Sequence, residues 1–137
     1  MTTNSAGSSA RQLAWQATHT KRYAVNFNDP GIAAGVPFLT LPQGAYVTDV
    51  QVEIVTGFNA GSTNVLTVGT NSPTFNNMVS AADLNPGNTG VTVATRGWGR
   101  GLANAADTPV FVAYTQTGTA ATQGQAVIVV EFEGNLG

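Results

Sequence analysis

From Lys21 onward, apolar and polar residues alternate in short runs separated by turn formers. Tyr23, Val25 and Phe27 alternate with Ala24 and Asn26, the period of two expected of a half-buried strand. The turn Asn28-Asp29-Pro30-Gly31 ends that run. A second strand is predicted over 36–41, closed by Pro42-Gln43-Gly44, with proline in the second and glycine in the fourth position of a turn. The clearest strand covers 45–56: Val50, Val52 and Ile54 point one way, while Asp49, Gln51 and Glu53 point the other, so one face is core and one is polar. After the turn formers of 57–64, Val65, Leu66 and Val68 mark a return strand over 64–69. The 45–56 and 64–69 strands are expected to pair as an antiparallel hairpin.

The spacing then changes. Ser72-Pro73 has the form of a helix start, Phe75, Met78, Val79 and Ala82 follow at helical spacing, and Asn85-Pro86-Gly87 stops the run. One short helix is therefore predicted, its apolar stripe serving as a lid on the core. Strands are predicted again over 90–95, 109–116 and 125–133. In the last, Ala126, Ile128, Val130 and Phe132 face inward, and Glu131 and Glu133 outward. The predicted class is all-β: an antiparallel sandwich or jelly roll of about seven to eight strands with one short helix. No internal repeat is apparent.

The first 18 residues break this pattern. The opening stretch of Thr, Asn, Ser, Gly and Ala is too polar to fold alone, and Leu13 and Trp15 follow it. Residues 1–18 are read as an N-terminal arm and 19–137 as the β-sandwich domain. Trp15 either tucks onto its own domain or docks on a neighbouring subunit, with the neighbour favoured.

Composition sharpens the picture. The 137 residues suit one domain with a sizeable core. Charged residues make up 9% of the chain, against about 25% in an average domain, and 42% are apolar. So little charge suits a surface partly covered by neighbours better than a freely dispersed monomer. The net charge is −2, and no basic run provides an electrostatic footprint for nucleic acid. No apolar stretch reaches the roughly 18 residues of a membrane span. The start lacks the pattern of a secretory leader, so synthesis in a cytoplasm is expected. The absence of cysteine removes disulfides and thiolate metal sites.

Candidate chemistry is sparse. The single histidine, His19, sits beside Lys21 and Arg22, and no GxSxG turn supplies a nucleophile. Asp49, Glu53, Glu131 and Glu133 hold the outward positions of two strands. On neighbouring strands they would repel one another and attract a cation, or pair for glycoside chemistry, but an ordinary solvated sheet face is the favoured reading. Asn26, Asn28 and Asp29 miss the ligand spacing of a calcium loop. The segment Arg96-Gly97-Trp98-Gly99-Arg100-Gly101 has the residue types of interface hot spots. They also suit a stacking platform for a sugar, or for single-stranded nucleic acid. No catalytic residue, cofactor or metal is therefore expected. Trp15, Arg96, Trp98 and Arg100 are the interface candidates.

The segments VPFLTLPQGAYVTDVQVEIVTGFNAGSTNVLTVGTN (36–71) and VFVAYTQTGTAATQGQAVIVVEFE (110–133) resemble small β-rich virion proteins of tailed bacteriophages, of the capsid decoration or cement type. The resemblance spans most of residues 23–133 and leaves out the arm. It implies a non-enzymatic protein of the outer capsid surface that binds the major capsid protein and braces the shell. The low charge in turn fits a homo-oligomer, a trimer being one candidate. A tail or fibre component, or a sugar-binding β-sandwich module, are the alternatives.

Overall fold

The computed structural model describes residues 18–93 and 106–133. Seven strands run in chain order: β1 (Thr18–Asn26), β2 (Val36–Leu41), β3 (Tyr46–Thr56), β4 (Thr63–Gly69), β5 (Gly90–Val93), β6 (Thr108–Thr117) and β7 (Gln125–Glu133). They form a four-stranded sheet in the order β1-β7-β3-β5 and a three-stranded sheet in the order β2-β6-β4, with every neighbouring pair antiparallel. Successive strands from β1 to β4, and again from β5 to β7, alternate between the sheets. An isolated antiparallel bridge, Val68 with Val79, continues the smaller sheet beyond β4. With that bridge as a vestigial eighth strand, the winding is that of a jelly roll.

Period-two alternation builds the core as expected. Val50, Val52 and Ile54 of β3, Val110, Val112 and Tyr114 of β6, and Ala126, Ile128, Val130 and Phe132 of β7 are all buried between the sheets. Two breaks in register refine the pattern on β3, between Val47 and Asp49 and between Ile54 and Thr56. The first bulge brings Val47 into the core, although it has the opposite parity to Val50. There the Thr48 hydroxyl donates to the Glu131 carbonyl at 3.2 Å.

Two local expectations are corrected. The hairpin between β3 and β4 does not exist, because the two strands lie in different sheets. The connecting loop drops Phe58 into the core (2% exposed), its ring 4.6 Å from that of Tyr114, and so carries the chain across the sandwich. The loop is then tied to its new surroundings: Gly61 N donates to Thr119 O at 2.8 Å and Ser62 N to Thr117 O at 2.9 Å. Gly124, at φ 152°, permits this, since a Cβ there would collide with the Phe58 ring.

The short helix over 72–85 is likewise absent; turns and the Val79 bridge occupy the segment. Its amides find partners other than an i−4 ladder. The Asn71 side-chain oxygen accepts from Asn76 N (2.9 Å) and Asn77 N (3.0 Å), and Val68 O accepts from Met78 N and Val79 N, each at 2.9 Å. Asparagine side chains that offer the backbone such bonds compete with a helix. The apolar residues nonetheless cover the core as a lid: Phe75, Met78 and Val79 are buried. Phe75 takes a left-handed conformation, φ 47°. That turns its ring onto Phe111, 4.4 Å away and nearly parallel, and onto Gly35, where a Cβ would lie 2.6 Å from the ring.

Candidate interaction surfaces

All charged residues of the strands, Lys21, Arg22, Asp49, Glu53, Glu131 and Glu133, belong to the four-stranded sheet. The three strands of the other sheet carry none. Pairing registers place Asp49 opposite Glu131, Tyr46 opposite Glu133 and Glu53 opposite Val127, so the outward carboxylates of β3 and β7 share one face. Gln51 Nε2 donates to Asp49 at 2.9 Å, and Asp49 also accepts from Val50 N at 3.0 Å. Across the sheet, Val91 of β5 stands opposite Glu53 and Arg22 of β1 opposite Val129. Val91, Val55 and Tyr46 are exposed by 63%, 45% and 50%, and they are the exposed large hydrophobic residues of the described part. The face is thus mixed: valines and a tyrosine interleaved with carboxylates.

The outer face of the three-stranded sheet is neutral. Phe111 and Gly69, paired in register, lie beneath the Phe75 loop, and Thr67 and Ala113 are buried. Thr63 and Thr117 share a hydroxyl–hydroxyl bond of 2.7 Å at its far end. Beside β4, an open depression of about 570 Å³ is lined by Ser62, Thr63, Asn64, Val65, Ala81, Leu84, Asn85 and Pro86. None of these side chains can donate or take up a proton near neutral pH.

No arrangement for proton transfer or nucleophilic attack is assembled among the described residues. His19 lies on the exposed end of β1, its ring 5.4 Å from that of Phe132, and no triad partner is placed on it. The outward carboxylates stand on an open sheet rather than in a cleft. Among the described residues, no group of three or more His, Asp or Glu side chains could hold a metal ion. Asp29 is used structurally: its carboxylate accepts from Asn26 N at 2.9 Å and so closes the turn after β1. One buried titratable group is perturbed. Burial raises the Tyr114 phenol above its ordinary value, so it stays neutral and donates to Asn64 Oδ1 at 2.6 Å.

Trp15, Arg96, Trp98 and Arg100 all lie outside the described residues, as does the arm up to residue 17. The exposed Tyr46, Val55 and Val91 were not expected from the sequence. The Val47/Asp49 bulge of β3 sets the facing of Tyr46, Val55 continues the outward parity of Asp49, Gln51 and Glu53, and Val91 belongs to an edge strand of four residues.

Three solved structures share this fold. A chain of the cyanophage Pam1 capsid asymmetric unit superposes with a TM-score of 0.65 at 21% identity, over 85% of this chain and 84% of that one. A chain of the acidic stable capsid structure of Helicobacter pylori bacteriophage KHP30 gives 0.63 at 18% identity, over 85% and 86%. A chain of the capsid of Ralstonia phage GP4 gives 0.62 at 18%, over 88% and 86%. No family model and no curated protein sequence matches the chain.

Proposed function

We propose that this protein is a structural component of a tailed-phage virion, a decoration or cement protein that binds the major capsid protein on the outside of the head and stabilises the shell. The carrying observation is the likeness in fold, over most of both chains, to chains from three phage capsid structures. The site chemistry agrees with it: the described surface offers apolar and hydrogen-bonding contacts rather than a reactive constellation. Low charge reduces the desolvation cost of covering such a surface. Repetition around a shell lets modest contacts add through multivalency.

In this reading the protein is made in the host cytoplasm and assembles as a homo-oligomer, with three copies around a symmetry axis as one closed arrangement. Residues 1–18 act as an arm reaching a neighbour through Trp15. Arg96, Trp98 and Arg100 add contacts from the segment that follows β5 in the chain.

Copy number tests this. Quantitative mass spectrometry of purified virions, scaled to the major capsid protein, is expected to find the protein in a number that scales with the shell lattice. A handful of copies per particle would point to a tail or fibre component. Absence from the virion, together with glycan binding that Trp98→Ala abolishes, would point to the sugar-binding alternative.

A further inference from the structure

We infer that the outer face of the four-stranded sheet is the surface that seats on the capsid shell, and that the shell meets it with an apolar centre flanked by Lys or Arg side chains. The inference rests on the capsid reading and adds to it the face and the chemistry of the partner. Scattered exposed apolar residues are ordinary. Here, however, the exposed Val55 and Val91 flank Glu53 at one end of this face, with the half-buried Val127 and Val129 beside them, and the exposed Tyr46 stands at the other end of β3 next to Glu133. An apolar patch built from Val55, Val91, Val127 and Val129 marks an interaction site, and tyrosine is a residue type enriched at interfaces.

Charge selects the partner. Glu53, Glu131 and Glu133, every glutamate of the chain, lie on this face: Glu133 opposite Tyr46, Glu53 opposite Val91 and Glu131 two residues before Glu133. Arg22 is the cation that the described residues contribute to it. A second copy packed face to face would set glutamate against glutamate, and such like-charge contacts are strongly disfavoured. A surface carrying lysine or arginine meets the same carboxylates as complementary charge. The opposite sheet is poorly suited to this role, because Phe75 and its loop already cover part of its outer face.

The test compares the protein free in solution with the protein in purified virions. Carboxylates are coupled to glycine ethyl ester with a carbodiimide, and Tyr46 is oxidised by hydroxyl radicals, both read by peptide mass spectrometry. In the virion, labelling of Glu131, Glu133 and Tyr46 is expected to slow by about five-fold or more, as befits residues covered by an interface. Asp107, exposed and just before β6, should label equally in both. Equal labelling of the sheet face in free and virion-bound protein, or protection of Asp107 instead, would overturn the assignment. So would full protection of the face in the free protein, since a second copy would then be its occupant. A virion without the protein would refute the capsid reading itself, a different failure. Independently, the double variant Glu131→Lys/Glu133→Lys is expected to keep its melting temperature yet lose about ten-fold in virion occupancy, with Glu131→Gln/Glu133→Gln losing less. Undiminished occupancy of the Lys variant overturns the inference.

Discussion

The four-stranded sheet and the three-stranded sheet contribute to one core but treat their outer faces in opposite ways. The first places every charged strand residue outward or at its rim and leaves Tyr46, Val55 and Val91 in water. The second carries no charge in any strand and draws its own chain over itself, with Phe75 stacked on Phe111 and Met78–Val79 bonded to the edge of β4. A sheet whose outer face is already partly covered can do without charge. A sheet that stays open needs charge to remain soluble until a partner arrives. The contrast separates a face finished by intramolecular packing from one left for intermolecular packing.

The sharpest way to break this comparison is to place a new charge on each face. Thr67→Glu puts a carboxylate at a 9% exposed position of the neutral sheet and is expected to cost about 3–5 kcal/mol, the scale of an uncompensated buried charge. Gln51→Glu, on the open face, should change stability by no more than about 0.5 kcal/mol. Urea unfolding of both variants reads the difference, and equal costs would mean that the two faces are equally open.

Next in size is the cover itself. Phe75→Ala is expected to lose about 3 kcal/mol, the low end for deleting a buried phenylalanine; alanine keeps its Cβ and meets the same left-handed backbone at φ 47°, so the backbone returns none of the cost.

A smaller effect comes from the buried phenol. Tyr114→Phe removes the bond to Asn64 and should cost about 1–2 kcal/mol at neutral pH. Because burial raises the phenol's pKa in the folded state, the unfolded chain ionises first. The native protein should therefore lose stability as pH rises above about 10, the ordinary phenol value. This alkaline loss should be shallower in the Phe variant when melting temperature is followed against pH.

The smallest effect sharpens the other side. Val91→Thr, at a position 63% exposed, should leave the isolated protein within about 0.5 kcal/mol of its original stability.

Much of the core was legible in the sequence, because in β3, β6 and β7 the side-chain period and the burial period coincide. Val36–Leu41 emerges as a strand with the predicted bounds, and the outward set Asp49, Gln51 and Glu53 faces as expected. The misreadings share one cause. A jelly roll sends consecutive strands to opposite sheets, and within Gly57–Asn64 Phe58, an apolar ring among turn formers, was the one sign of a crossing rather than a hairpin turn. Likewise Phe75, Met78 and Val79 have helical spacing, but Asn71 and Val68 claim the amides that a helix needs. The open face was only half legible: the carboxylates and Val55 follow from alternation, whereas the facing of Tyr46 depends on a bulge that no periodicity announces.

The most direct measurement is a cryo-electron microscopy reconstruction of the virion at a resolution that separates β-strands. The account predicts jelly-roll density repeated over the outer shell lattice, with the four-stranded sheet turned towards the major capsid protein and the Phe75 loop turned away. Density with the three-stranded sheet against the shell would contradict the assignment of faces, and a shell carrying no such density would contradict the proposed function.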